Sequence, residues 1–289
     1  MAFPLPTSLT PSKVASFKDC ALAFRFSAID RLPEPPSAPA LKGTLVHRVL
    51  ERLFWELEPG DRSLDAALDR LDEEATAFFA GDEWTALGSD DAARAPFRAE
   101  AEKLVRNYFT IEDPNRVRVV GTELMLETRV GSMRLRGIID RLDLDENGDL
   151  VVVDYKTGRA PGENFESGKL GGVHFYAYLC EAVLGRRPAR VELLYLREPI
   201  SISTTPSPQS IRGMQVRTTA IWSAVERACE REDFRPNPGK LCSWCSFQAF
   251  CPAKGGSLPE AATPPATSPL ATVPPPSVGD APGRTTTLF

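Results

Sequence analysis

The chain has 289 residues, of which 42% are apolar and 25% charged, and a net charge of −5. That balance suits one well-buried core with room for a small accessory lobe, and it excludes a protein that coats nucleic acid through bulk positive charge. No stretch approaches the roughly 18 uninterrupted apolar residues of a membrane span, and Met1–Lys13 carries Pro4, Pro6 and Pro11, so neither a span nor a secretory leader is expected and a cytoplasmic location follows.

The first expected element is a helical stretch over residues 12–26, followed by a Pro-rich connection over 33–39. Gly43-Thr44 then opens a strong helix, in which Val46, Val49, Leu50, Leu53, Phe54 and Leu57 form an apolar stripe at helical spacing. His47 and Glu51 lie at i and i+4 on the flank of that stripe. Helices are expected over 64–79 and 92–109. Between Glu56 and Glu83 ten acidic residues face only Arg62 and Arg70, a local charge of −8 that leaves +3 for the remainder. The run reads as a solvated helical face, and the positive remainder allows a basic groove elsewhere.

The pattern then changes to Val, Leu and Ile at strand spacing over 117–130, 134–144 and 150–155, with turn residues at Gly131-Ser132 and at Glu146-Asn147-Gly148-Asp149. These read as an antiparallel three-strand meander. A loop over 158–162, a helix over 172–184, a strand over 190–196 and a helix over 216–232 complete the folded part. This order predicts an α/β fold, a central mixed sheet flanked by helices. One domain is expected over residues 1–256. Residues 257–289, rich in Pro, Thr, Ser and Ala, are expected to form a disordered tail.

Chemistry concentrates between Gly137 and Arg159. Asp140 interrupts one apolar strand, Asp154 ends the next, and Lys156 follows two residues later. A hairpin about Asn147-Gly148 brings the two carboxylates near each other, where they repel unless a cation lies between them. Hard oxygen donors of this kind suit Mg²⁺ or Mn²⁺. Period two puts Lys156 on the face of Asp154, a grouping suited to phosphodiester hydrolysis, in which the metal activates water and the ammonium offsets developing charge. Asp-x-Lys alone is a common surface ion pair. The segment also spaces Asp143, Asp145, Asn147, Gly148 and Asp154 like an EF-hand loop, but its strand-like flanks and the Asp at the last position favour a hairpin turn.

Six cysteines are present. In a reducing compartment they read as metal ligands or packing residues rather than a disulfide framework. Cys242, Cys245 and Cys251 form a C-x2-C-x5-C run whose three thiolates call for a fourth partner. Cys180 and Cys229, in helical apolar stretches, read as core residues.

The ordered series Gly43-Thr44-x-x-His47-x-x-x-Glu51, Gly137-x-x-Asp140-Arg141-x-Asp143, Asp154-Tyr155-Lys156-Thr157-Gly158 and Phe175-Tyr176-Ala177 resembles the RecB-like family of PD-(D/E)XK nucleases. That family includes the AddB nuclease domain and the CRISPR-associated adaptation nucleases. The resemblance covers roughly Leu9 to Pro252 and implies a restriction-endonuclease-like core. It implies that His47, Asp140, Asp154 and the Tyr155 carbonyl ligate a metal, that Lys156 is the catalytic lysine with Tyr176 beside it, and that Glu123 is a weaker acidic candidate. One departure stands out, since Gly172 occupies the place of the family's usual Gln.

Cys20 with Cys242, Cys245 and Cys251 resembles the four-cysteine arrangement of the family's iron-sulfur members, which implies a structural [4Fe-4S] cluster tying the chain ends together. Zn²⁺ on the same four thiolates is the chemical alternative, and free buried cysteines are the bland one. His174 lacks companions and reads as structural or DNA-facing. No ATP-binding G-x-x-x-x-G-K-[ST] occurs, because Gly168-Lys169 and Gly239-Lys240 are each followed by Leu, so any helicase is expected to be a separate protein. The expected function is a metal-dependent DNA exonuclease acting on single strands or ends in repair or recombination. The alternatives are a non-catalytic iron-sulfur DNA-binding subunit of a repair complex and a phosphodiesterase directed at RNA.

Overall fold

Leu150–Lys156 forms β3, in which only Lys156 escapes full burial. A strand covered on both faces belongs inside a sheet. The computed structural model describes residues 3–161 and 166–259, with side chains of the second part from 172 onward, and places β3 in a five-stranded sheet of order β1-β2-β3-β4-β5. β1 (Arg118–Val130), β2 (Met133–Leu144) and β3 are the antiparallel meander. Gly148, at φ 80, supplies the left-handed residue of the β2–β3 turn. β4 (Arg190–Tyr195) runs parallel to β3, which requires a crossover, and helix α7 (Glu166–Leu184) provides it. The α/β class, the mixed sheet and the flanking helices thus agree with the sequence.

Alternation along β3 divides its side chains between two cores. Val151, Val153 and Tyr155 face helices α3 (Ala38–Glu56), α4 (Leu64–Phe79) and α6 (Arg94–Ile111), a core that Trp84 of the short α5 (Asp82–Ala86) also joins. Val152 faces α7 and α8 (Pro208–Arg231), with Phe175, Leu179, Met214 and Trp222. A third cluster of Leu22, Phe24, Phe26, Val225, Cys229, Phe234 and Phe247 joins the N-terminal helices to the segment after α8.

Four expectations are corrected. The single helix over 12–26 is broken into α1 (Pro11–Asp19), α2 (Ala21–Phe24) and a π-helical turn at Arg25–Ile29, because Cys20 is extended at φ −161. Helix α3 starts ahead of Gly43: Ser37 caps it through the Ala40 N–H, and Pro39 sits in the first turn, where no amide donor is needed. Helix α8 begins at Pro208 rather than 216, behind a capping box closed by Ser207 and Ser210. β5 (Ile200–Thr204) was not expected; it is a short, Ser/Thr-rich edge strand antiparallel to β4.

The acidic run is more engaged than a solvated face. Arg52 of α3 reaches Glu56 at 2.6 Å, Glu73 at 2.7 Å and Glu74 at 3.0 Å, clamping α3 to α4. Among the described residues no helix is long and apolar enough to cross a membrane. Residues 260–289 of the expected tail lie outside the described residues.

Candidate metal centre at the fork of β2 and β3

The β2–β3 ladder runs from Leu144↔Leu150 to Arg141↔Val153 and then opens. Asp140 and Asp154 would form the next rung. Instead Asp140 Oδ2 accepts the Tyr155 N–H at 2.7 Å, so a side-chain carboxylate takes the place of a ladder carbonyl at the mouth of the fork. The β1 side is distorted at the same level, where Glu123 has a left-handed φ of 45. Ile139 packs in the α7 core, yet Arg141, two residues on, stacks against Phe54 of α3. Regular alternation would send both the same way, so the strand slips one face at Asp140.

The apolar stripe of α3 buries Leu45, Val46, Val49 and Leu50 and leaves His47 on its flank, over the fork. The ring lies with Nε2 3.2 Å from the Tyr155 carbonyl oxygen and Nδ1 3.6 Å from Asp140 Oδ2. His47, Glu123 and Asp140 each offer one donor atom within 4.8 Å of the others. An imidazole, two carboxylates and a carbonyl oxygen therefore converge, a donor set that Mg²⁺ or Mn²⁺ accepts. Asp154 stands outside that trio, buried and ion-paired to Lys156. A cleft of about 490 Å³ opens onto His47 and Glu123, lined also by Gly43, Thr44, Arg48, Glu51 and Thr157. A Cβ at Gly43 would lie 3.1 Å from Thr157 Oγ1, so any larger residue there must displace that hydroxyl.

Crowding and partial burial disfavour the ionised carboxylates here. Burial, then the charges of Asp140, Glu51 and Asp154, push Glu123 up to about 7. Burial and the Asp154 charge raise Asp140 to about 6, against the pull of His47 and the Tyr155 N–H. Burial works against the Lys156 ammonium, but the Asp154 carboxylate outweighs it and the pKa is raised. Tyr176 is pushed up by burial and then by Asp154, Asp140 and Glu123, which puts its hydroxyl within their field. Its ring lies over Gly137, where a Cβ would fall 3.0 Å from Tyr176 Cε1.

Other sequence candidates fall elsewhere. His174 is half-buried on α7, its Nδ1 without a hydrogen-bond partner among the described residues and its pKa lowered by burial and by Arg217. At Gly172 an added Cβ would meet no atom of the described residues within 4 Å. The EF-hand spacing is a hairpin turn, in which Asp145 Oδ1 accepts the N–H groups of Asn147 and Asp149, each at 2.9 Å. Glu51, which follows His47 by one helical turn in the first motif, also lines the cleft.

Sequence reasoning did not foresee the support of the fork, a buried hub at Arg141. Its guanidinium donates to both oxygens of Glu112 (2.5 and 3.1 Å), to both of Asp143 (3.0 Å each) and to the Tyr155 hydroxyl (2.7 Å), over the Phe54 ring at 4.4 Å. An Arg between Asp140 and Asp143 in apolar surroundings was the available signal, because a buried guanidinium needs partners on every side.

At the other end of the chain, Cys20, Cys242, Cys245 and Cys251 line one cleft of about 570 Å³. The N–H of Asn237 is donated to Cys20 Sγ at 3.4 Å and that of Gly239 to Cys242 Sγ at 3.3 Å. Amide donors aimed at sulfur stabilise thiolates, so the residues fit a thiolate-ligated group. Cys180 and Cys229 are buried in the cores.

A mixed five-strand sheet between helices, with acidic groups and a lysine at the fork of the meander, defines a restriction-endonuclease-like protein. The chain belongs to the PD-(D/E)XK nuclease superfamily, whose family model matches residues 8–252. It is similar to the Gene 69 protein of Mycobacterium phage D29, with 28% identity over 265 residues that span 83% of this chain and 95% of that protein. It is also similar to one subunit of the ATP-dependent helicase/deoxyribonuclease of Streptococcus agalactiae, 28% identical over 53% of this chain but only 14% of that protein. In fold it matches a crystal structure of a candidate exonuclease from Eubacterium rectale, with a TM-score of 0.51 and 11% identity over 82% of this chain and 86% of that one.

Proposed function

We propose that the protein is a metal-dependent DNA exonuclease, acting on single strands or ends in repair or recombination. The observation that carries this reading is the convergence of His47, Glu123 and Asp140 within 4.8 Å beside the Asp154–Lys156 pair. His47, Asp140, Asp154 and the Tyr155 carbonyl would hold Mg²⁺ or Mn²⁺, with Glu123 completing the donor set. A divalent ion there supplies Lewis-acid polarisation of the scissile phosphate and lowers the pKa of the attacking water. Lys156 orients that water and offsets charge developing on the phosphate, while the Tyr176 hydroxyl can donate to a phosphate oxygen. Asp154 holds the Lys156 ammonium in place. The relation to a component of a helicase/deoxyribonuclease supports a separate helicase as partner.

Purified protein incubated with end-labelled single-stranded and duplex DNA, and with RNA, in Mg²⁺ or Mn²⁺ tests the reading. Shortening of DNA from an end supports it; no cleavage in either metal sinks it.

The raised carboxylates give an independent readout. Groups whose folded pKa is raised stabilise the fold below their unfolded pKa, and this contribution is lost as pH rises through the folded value. For Asp140 at about 6 and Glu123 at about 7, the metal-free protein is expected to lose thermal stability between about pH 4 and 7 from these sites. Mn²⁺ should restore it at pH 8 in the wild type and not in Asp140→Asn, as measured by melting in EDTA and in Mn²⁺. Equal Mn²⁺ shifts in the two proteins would argue against the donor set.

The four cysteines are assigned to a [4Fe-4S] cluster that pins the turn at Cys20 to the segment after α8. The purified protein should be brown, with broad absorption near about 400 nm that Cys20→Ser abolishes. A colourless protein with one equivalent of zinc overturns that assignment.

A further inference from the structure

Beyond Glu123 and Asp140, β1 and β2 continue as a ribbon to the turn at Gly131-Ser132. β3 does not follow them; the free edge of β2 takes Leu9 instead, through Leu9 N–H to Arg134 O at 2.7 Å and Arg136 N–H to Leu9 O at 3.0 Å. One face of the ribbon, with Leu124, Leu126, Leu135 and Ile139, packs into the α7 and α8 core. The opposite face carries the cross-strand pairs Met125↔Ile138, Glu127↔Arg136 and Arg129↔Arg134.

That outer face combines two features that folding alone does not favour. Met125 and Ile138, directly paired, are 54% and 43% exposed. They stand two residues along each strand from Glu123 and Asp140, about 7 Å from the carboxylate cluster. The next pairs carry three arginines against Glu127, whose carboxylate pairs with Arg134 at 3.4 Å. Lys13, whose ammonium donates to the Ser8 carbonyl at 2.9 Å, lies in the field of Arg136 and of the exposed Arg31, which brings these cations to the edge of the ribbon. Burial first, and then the charges of Arg31 and Arg136, depress the Lys13 pKa, a mark of cations crowded together. Crowded cations next to an exposed apolar step complement a polyanion that also has apolar faces. A single-stranded polynucleotide is such a molecule, whereas a duplex keeps its base faces stacked away.

We propose that the outer face of the β1–β2 ribbon is the track along which single-stranded nucleic acid reaches the carboxylate cluster. Bases lie against Met125 and Ile138, and phosphates are held by Arg129, Arg136, Lys13 and Arg31. The track rests on the nuclease reading and specifies its substrate as a single strand.

The test measures binding without turnover. Fluorescein-labelled oligothymidylate is titrated with the full chain, Ca²⁺ replacing Mg²⁺, and followed by anisotropy over a range of salt. Arg136→Glu is expected to weaken binding at least about ten-fold and to flatten the salt dependence. Ile138→Ala should weaken it several-fold at unchanged salt slope. Arg187→Glu, an exposed arginine ahead of β4 at the end of the sheet away from Lys156, should stay within about two-fold of wild type. Melting temperatures confirm that each variant is folded. Equal affinities of Arg136→Glu and Arg187→Glu, an unchanged Ile138→Ala, equal affinity for blunt duplex, or no binding by the wild type overturns the track. Cleavage by the wild type in Mg²⁺ is read in parallel. Its absence, with binding behaving as expected, overturns the catalytic reading and leaves the track standing.

Discussion

Lys156→Ala is expected to slow cleavage of labelled single-stranded DNA by about 10²–10³-fold at saturating Mg²⁺, the usual cost of removing one preorganised charge-stabilising group. The magnitude follows from geometry. The Lys156 side chain keeps 44% exposure while its partner Asp154 keeps 7%, so the ammonium lies at the mouth of the fork and its counterion below it. Removing it leaves the His47, Glu123 and Asp140 donors intact, so Mn²⁺ binding followed by calorimetry should be retained. Asp154→Asn should lose at least a comparable factor in rate, because the ammonium then has no anchor and the proposed donor set loses a charged ligand. Single-turnover cleavage separates this chemical step from product release. Rates within about three-fold of wild type for both variants would remove Asp154 and Lys156 from the mechanism.

Arg141→Met is expected to be the most destabilising single change at the site, by about 3–5 kcal/mol, the cost of breaking a buried ion pair by removing one partner. Its side chain is 1% exposed, and its loss strands the Asp143 carboxylate and leaves Glu112 without its main counter-charge. For a domain of this size the melting temperature should fall by roughly 10 °C. Tyr155→Phe removes only one hydrogen bond to a charged donor and should cost about 1.5–3 kcal/mol. The two changes bear on the site because Tyr155 carries the carbonyl beside His47 and the N–H bound by Asp140. Thermal denaturation decides the matter. A shift below about 2 °C for Arg141→Met would mean that the hub does not hold the fork.

Much of the framework was readable along the chain because its signals are local. The meander follows from alternation and from Asn147-Gly148, whose positive φ at Gly148 needs only that residue. The helical stripe around His47 is equally local, and the order of helices and strands along the chain carries the mixed α/β class. Helix starts were legible only in part: the Ser37 and Ser207 caps precede first turns, Ala38-Pro39-Ala40 and Pro208-Gln209-Ser210, that carry none of the buried stripe. The break at Cys20 had no local signal, since its extended backbone accompanies contacts to Asn237, which is remote in sequence.

The sequence by itself determined which groups were available, namely the carboxylates, the lysine two residues after Asp154, the imidazole on the flank of α3 and the four clustered or distant thiols. Only the tertiary structure decided how they meet. Asp140 does not simply face Asp154 across a regular ladder. It caps the Tyr155 amide where β2 leaves β3, and Glu123, whose backbone is left-handed, joins His47 and Asp140 while Asp154 turns to Lys156. Strand periodicity predicts which side of a sheet a residue occupies. Where a ladder opens and a strand slips one face, that rule fails, and packing of distant elements around Arg141 sets the geometry instead.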